Sequence, residues 1–320
     1  MKQILLVGTG GTIAEDVRNG EFVMLSAGEL VASVSSILQI ASVTSVDFIR
    51  VPSPAILFND LLNLSKTIQK AISENKPDGI VVTMGTDTLE ENAYFLDLTL
   101  DTDIPVIVTG SMRSRIHISS DTDYNLESAI LAATSEKLKK IGVVVVMNGE
   151  IHHAKYVSKT NTSSVASFQS PGFGPLGFVS GGNVILSNSV LRHEHVKPEQ
   201  ISARVDLLRC CVGLDGSMLE SALNLGSNGI VIEGFGGGDV TPALVPSIRK
   251  ALTKGVAIVL VSRCISGPIN QPALDFEGSP YSLAKEGVIL ANNTSGIKAR
   301  VKLIVALSAG MRGSAIQEFF

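Results

Sequence analysis

The run from Val81 to Leu100, VVTMGTDTLEENAYFLDLTL, ends an apolar stretch in Thr86, Asp87 and Thr88 and follows it with Glu90 and Glu91. A threonine hydroxyl attacks a carbonyl when a base or a lysine within hydrogen-bond reach draws off its proton. Lys159, in VSKTNT from Val157 to Thr162, sits among uncharged hydroxyl residues and is a candidate for that lysine, although a lone loop lysine is more often solvated. A second hydroxyl, Thr12, closes the turn Gly8-Thr9-Gly10-Gly11-Thr12. Its glycines let the backbone approach a ligand while Thr12 presents its hydroxyl; a tight turn with a capping threonine is the alternative. The turn fails as a dinucleotide loop, because the second half of G-x-G-x-x-G falls on Ile13. Asp87 precedes a helix and is placed to hold a substrate ammonium, whereas Glu90 and Glu91 are read as first-turn carboxylates favoured by the helix dipole.

These residues need a scaffold, and the chain alternates strand and helix signals. Strands are expected at 3–8, 42–51, 79–83, 105–109 and 141–147, with helices at 59–74, 89–97 and 122–136 between them. Asn19-Gly20 makes 13–26 a hairpin or loop, and Ser26 with Glu29 opens a helix to Leu38 by a capping box. After a polar stretch with Gly181-Gly182 and Arg192-His193-Glu194-His195, the alternation resumes: strands 207–212, 229–234 and 256–262, helices 217–225, 241–253 and 296–308. This order predicts a doubly wound or related α/β fold, with ligands at the carboxyl ends of the strands. The expected division is a catalytic domain 1–185, a linker 186–205 and a second domain 206–320. No internal repeat is visible, which excludes array architectures.

Composition agrees with buried parallel strands: 45% hydrophobic residues, 30 glycines and no Trp. A net charge of −4, without a basic stripe, excludes capture of nucleic acid through phosphates. The opening Met1-Lys2-Gln3 leads into too short an apolar run for a secretion signal, and no stretch approaches the ~20 apolar residues of a membrane helix. The expectation is a cytoplasmic protein with a small substrate and no membrane partner. Cys210, Cys211 and Cys264 are read as reduced; Cys210-Cys211 lacks the gap of a zinc knuckle, and His193 and His195 lie in the polar stretch, so no metal is expected.

Taken together, Thr9-Gly10-Gly11-Thr12-Ile13-Ala14, Gly85-Thr86-Asp87-Thr88 with Glu90-Glu91, Gly110-Ser111-Met112-Arg113, Val146-Met147-Asn148 and Lys159-Thr160-Asn161-Thr162 resemble the bacterial-type asparaginases. The resemblance continues through Ser170 to Gly177, Ser262-Arg263 and Lys298-Ala299-Arg300-Val301, in order over nearly the whole chain. It implies a two-domain asparaginase-like α/β fold, with a larger N-terminal mixed sheet flanked by helices and a smaller C-terminal parallel-sheet domain. It also implies an amidohydrolase without metal or cofactor, acting on a small amide such as L-asparagine. The assembly would be a homotetramer or homodimer, with sites near the subunit interface. By position Thr12 would be the nucleophile, and Thr86, Asp87 and Lys159 the second catalytic group. Ser53 would bind the substrate α-carboxylate, and Gly11 and Gly85 would bind substrate, with backbone amides near Thr12 and Thr86 stabilising the oxyanion.

The departures from the family pattern cluster around the substrate. Met84 stands where His is common, residues 15–25 contain no Tyr and offer only Phe22, and Pro54 replaces a polar residue. Ser114 to His117 and Ser120 to Asp123 also differ, and the partner subunit's carboxylate falls on either Asp275 or Glu277. Met84 and Phe22 would remove hydrogen-bond partners from the substrate. That leaves two alternatives open: an amidase for a bulkier or less polar amide, and a noncatalytic amino-acid-binding homologue.

Overall fold

A computed structural model of the chain describes residues 1–190, 195–269 and 276–320. The chain divides into two compact units, Met1–His195 and Val196–Phe320.

In the first unit, short apolar runs become buried strands: β1 (Gln3–Gly8), followed by an antiparallel hairpin of β2 (Glu15–Arg18) and β3 (Glu21–Met24). Ser26 forms the expected capping box with Glu29, but α1 (Ala27–Ala32) stops early and a separate short α2 (Ile37–Ile40) follows. The serines explain the break, since Ser33 Oγ donates to Leu30 O (2.6 Å) and competes with the continuing helix. Next come β4 (Ser42–Asp47), α3 (Phe58–Asn75), β5 (Gly79–Thr83), α4 (Leu89–Thr99), β6 (Val106–Thr109), α5 (Thr122–Ala133) and β7 (Val143–Met147). The remaining strands are β8 (Glu150–His153), β9 (Ser158–Lys159), β10 (Phe168–Gln169), β11 (Gly177–Ser180) and β12 (Asn183–Leu186).

Eight of these strands form one sheet, ordered β12-β11-β8-β7-β6-β5-β1-β4. Strands β4, β1, β5, β6 and β7 are parallel, and β8, β11 and β12 add antiparallel. Alternation along each strand splits the core between two faces. Ile4, Leu6, Val81, Ile107 and Val144 pack with residues of α1 and α5, such as Leu30 and Ile130. Leu5, Val7, Val82, Val108 and Val145 pack with Leu64 and Ile68 of α3 and with Leu89 and Leu96 of α4. The chain leaves β1 toward β4 on one side and returns to β5 on the other, so the strand order reverses between β1 and β5. A crevice opens at such a point beyond the carboxyl ends of the strands. The polar stretch from 180 is not all connection: Gly181 and Gly182, both at positive φ, turn the chain between β11 and the edge strand β12. Arg192, His193 and Glu194 of that stretch lie outside the described residues.

The second unit holds a fully parallel sheet, β13 (Val205–Arg209), β14 (Gly229–Gly234), β15 (Ala257–Ser262) and β16 (Ile289–Leu290). Its helices are α6 (Ser217–Asn224), α7 (Val245–Thr253), α8 (Pro280–Lys285), α9 (Gly296–Ser308) and α10 (Ser314–Phe319). Ile232 and Leu260 pack with Leu219, Ile248 and Leu283 of α6, α7 and α8. Gly229 of β14 meets Leu303 of α9. The large mixed sheet and the small parallel one are the α/β architecture expected from the sequence. Among the described residues, no helix is long and apolar enough to cross a membrane.

Two tests follow. Donation from the Ser26 backbone N–H, then from the Ser26 hydroxyl and Arg18, lowers the Glu29 pKa from 4.5 to about 2. A depressed folded-state pKa stabilises above the unfolded value, and that stabilisation is lost as pH falls through the folded one. Glu29→Gln should therefore be less stable than wild type near neutral pH, with the gap closing between 4.5 and about 2, as read from urea midpoints at each pH. The second concerns Gly11, whose φ is +82° and where a Cβ would fall 2.3 Å from Gly85 backbone atoms. Gly11→Ala should cost about 2–5 kcal/mol, combining left-handed strain and overpacking. Gly20→Ala, also at positive φ but in open space, should cost only about 1–2 kcal/mol; denaturant titration of both variants checks the ranking.

Candidate active site

The loops that leave β1, β4, β5 and β6 converge through glycine. Thr9 donates both its backbone N–H and its Oγ1 to Thr83 O (3.0 Å each), tying the end of β1 to the end of β5. Gly10, with φ +91°, lies against the backbone of Val51, so the segment after β4 joins them. Gly11 then meets Gly85, and Gly85 meets Ser53 on its other side, where a Cβ would lie 2.9 Å from the Ser53 Cβ and Oγ. A Cβ at Gly110 would lie 2.6 Å from Met84 O and 3.1 Å from Thr86 Cγ2, which closes the circle from β6. Thr12 and Thr86 each follow one of the two touching glycines, so their main chains run side by side. Thr12 begins a single 3-10 turn, Thr12–Ala14, and is half-buried.

Thr86, Asp87 and Lys159 come together. Lys159 Nζ donates to Thr86 Oγ1 at 3.0 Å and to Asp87 Oδ1 at 2.7 Å. The Lys159 side chain is recessed at 16% exposure, whereas the Asp87 carboxylate is 66% exposed and open to a solute. Ser53 is buried; its Oγ accepts a long hydrogen bond from Thr88 N (3.4 Å), and Thr88 Oγ1 donates to Ser53 O (3.1 Å). Asn92 Nδ2 donates to Thr88 Oγ1 (2.9 Å) from the next turn of α4. Such an arrangement presents two hydroxyls, a lysine amine, a carboxylate and the backbone N–H groups of two glycine turns. Those are the parts that nucleophilic attack on an uncharged carbonyl requires.

Glu90 has more than the dipole role read from the sequence. It is buried, its Oε2 accepts from Ser158 Oγ (2.8 Å) and its Oε1 from Lys159 N (3.1 Å). The apolar run after it carries the signal: a helix hydrophobic on every side is buried, so a first-turn carboxylate on it must find a partner. Asp121 is the other residue that the sequence did not single out for a task. Buried at the start of α5, it accepts from Ser111 Oγ (2.7 Å), Met112 N (3.1 Å), Arg113 N (2.8 Å) and Asn125 Nδ2 (2.9 Å), and so shapes the loop after β6. Beyond it a cleft of about 330 Å³ is lined by Met112, Arg113, His117, Ser119, Thr162 and Ser163.

Met84 and Phe22, read from the sequence as departures around the substrate, differ in exposure. Met84 is fully buried, with Asn92 Nδ2 directed at its Sδ (3.7 Å), and offers no surface to a ligand. Phe22 lies on β3 opposite Val17 and is 64% exposed. The hairpin that carries it is tied back by Leu25 N to Ala14 O (2.8 Å) and by Arg18 to Glu29 (2.7 Å). In the second unit Glu277 accepts from Arg249 (2.7 Å), which also binds Glu286; Asp275 lies outside the described residues. Cys210 is buried, Cys211 and Cys264 are exposed, and all three are free. Among the described residues, no group of three His, Cys, Asp or Glu is placed to hold a metal ion.

Known proteins share this plan. Residues 3–192 match the asparaginase N-terminal family and residues 204–320 the glutaminase/asparaginase C-terminal domain family. The chain is 37% identical to an L-asparaginase of Bacillus licheniformis, over 98% of this chain and 97% of that one. It is 31% identical to L-asparaginase 2 of Escherichia coli (strain K12), over 100% and 93% respectively. The crystal structure of a probable cytoplasmic L-asparaginase from Campylobacter jejuni superposes with a TM-score of 0.89 at 31% identity, covering 100% of this chain and 99% of that one. With both halves matched in order and the same architecture in a solved relative, the chain belongs to the bacterial-type asparaginase family.

Proposed function

We propose that the protein hydrolyses the side-chain amide of L-asparagine, or of a related small amide, to carboxylate and ammonia through a threonine nucleophile. The observation that carries this reading is the pair of bonds from Lys159 Nζ to Thr86 Oγ1 and Asp87 Oδ1, beside the glycine contact that brings Thr12 alongside. Relatives named L-asparaginase and glutaminase-asparaginase support the reaction class.

In this reading Thr12 Oγ attacks the amide carbon as its proton is drawn off, and the tetrahedral oxyanion is held by backbone N–H groups near Gly11 and Gly85. The C–N bond breaks, ammonia leaves with the transferred proton, and an acyl ester on Thr12 remains. Water, oriented by Thr86 and Lys159, then cleaves the ester to the carboxylate and restores the Thr12 hydroxyl. The exposed Asp87 carboxylate suits a substrate ammonium, and Ser53, on the floor beside Gly85, suits the α-carboxylate. No metal or cofactor enters the scheme.

Assembly as a homotetramer or homodimer, with Asp275 or Glu277 of one subunit serving a neighbour's site, belongs to the same proposal. So does a cytoplasmic location; the Campylobacter jejuni relative is described as probably cytoplasmic, while a Haemophilus influenzae relative is named as probably periplasmic. A second reading, an amidase for a bulkier amide, is favoured by the cleft lined by Arg113 and Thr162, which begins three residues beyond Lys159.

Ammonia release from L-Asn, D-Asn, L-Gln and small ω-amides tests both. Wild type should turn over at least one of them, and Thr12→Ala and Lys159→Met should each lower kcat by about 10²–10⁴-fold. A bulky amide outpacing L-Asn selects the second reading, and amino-acid binding by calorimetry without turnover overturns both.

A further inference from the structure

We propose that Glu90 is a positioning residue of this site, fixing the main chain of Lys159 so that its amine is aimed at Thr86 and Asp87; the inference rests on the amidohydrolase reading above.

The strand that carries Lys159 cannot aim it alone. β9 is two residues long and, among the described residues, pairs only with β10, placing Lys159 opposite Phe168. Thr160 N donates to Ser167 O (2.7 Å), which makes Lys159 and Phe168 a pair without mutual hydrogen bonds. The Lys159 N–H therefore points away from its hairpin partner, and Glu90 Oε1 receives it at 3.1 Å. The adjacent Ser158 hydroxyl donates to the other carboxylate oxygen at 2.8 Å. Glu90 is 7% exposed, so water does not compete freely for either bond.

One segment thus grips the same lysine at both ends. Thr86 and Asp87 hold Nζ, and Glu90, in the first turn of α4, holds the backbone nitrogen. A lysine stem is flexible, and anchoring only its tip leaves many conformers in competition with the productive one. A carboxylate suits the task because two donors arrive and both of its oxygens accept. Glutamine keeps one acceptor for Lys159 N, aspartate draws both oxygens back by one methylene, and alanine removes both.

The test measures ammonia release from L-asparagine, thermal unfolding, and the rate of Lys159 acetylation at fixed pH by mass spectrometry, in the full-length protein and its Glu90→Gln, Glu90→Asp and Glu90→Ala variants. Glu90→Ala should lower kcat about 10–100-fold while KM stays within about three-fold, the signature of misplacement rather than lost binding. The rate of Lys159 acetylation at fixed pH should rise with it, as the amine leaves Thr86 and Asp87, and Glu90→Gln should recover most of kcat. A folded Glu90→Ala with wild-type kcat and acetylation rate overturns the proposal. So does a loss of activity that only tracks the unfolded fraction. Should Glu90→Ala fail to fold, Glu90→Asp decides: a lowered kcat at unchanged KM supports the clamp, and wild-type kcat overturns it. If wild type releases no ammonia from any amide, the acetylation rate still reports. A faster acetylation of Lys159 in the variants keeps the clamp while the amidohydrolase reading falls, and an unchanged rate removes both.

Discussion

Two glycines with no side chains between them set the geometry of this site. Gly11 and Gly85 approach so closely that a single carbon added to Gly11 would enter the backbone of Gly85. Their contact lies where the strand order reverses between β1 and β5, the position at which an open α/β sheet leaves a crevice. The residues that follow the two glycines, Thr12 and Thr86, therefore have neighbouring main chains. Ser53 pressed against the far face of Gly85 extends the same stack to the loop after β4.

Lys159 reaches this stack from outside the parallel strands, so its placement depends on polar bonds. A solvated ion pair contributes about 0–1 kcal/mol, and the pair with the exposed Asp87 belongs to that class. Its worth lies in direction more than in stability. The bonds accepted by Glu90 and Asp121 are of another kind, because breaking one takes a donor from a buried carboxylate. Precision in the loop after β6 and in β9 therefore resides in two buried carboxylates.

How much of this was legible in the sequence depended on how local the cause was. β1, β5, β14 and α9 lie where their periodicity placed them, since apolar runs bounded by turn residues are self-contained signals. The helix opening at Ser26 was right at its cap and too long at its end, where serines compete with the helix backbone. The antiparallel strands β8 to β12 went unread because they are short and partly polar, and Gly181-Gly182 looked like a connection when it is a hairpin turn. Thr86, Asp87 and Lys159 could be named from residue type, but not the bond of Glu90 to a backbone N–H 69 positions away. Met84 looked like a lost polar neighbour because the sequence does not say which way a side chain turns.

The tie between Thr9 and Thr83 spans 74 residues, and Lys159 joins Thr86 from 73 residues further along. Closing loops of that size costs chain entropy before any contact repays it, so sheets built on distant pairings form slowly. During synthesis, Thr12 leaves the ribosome early and waits without its neighbours until β5 has docked beside β1. Thr12 and the Thr86–Asp87–Lys159 group therefore come together only as a late product of sheet assembly.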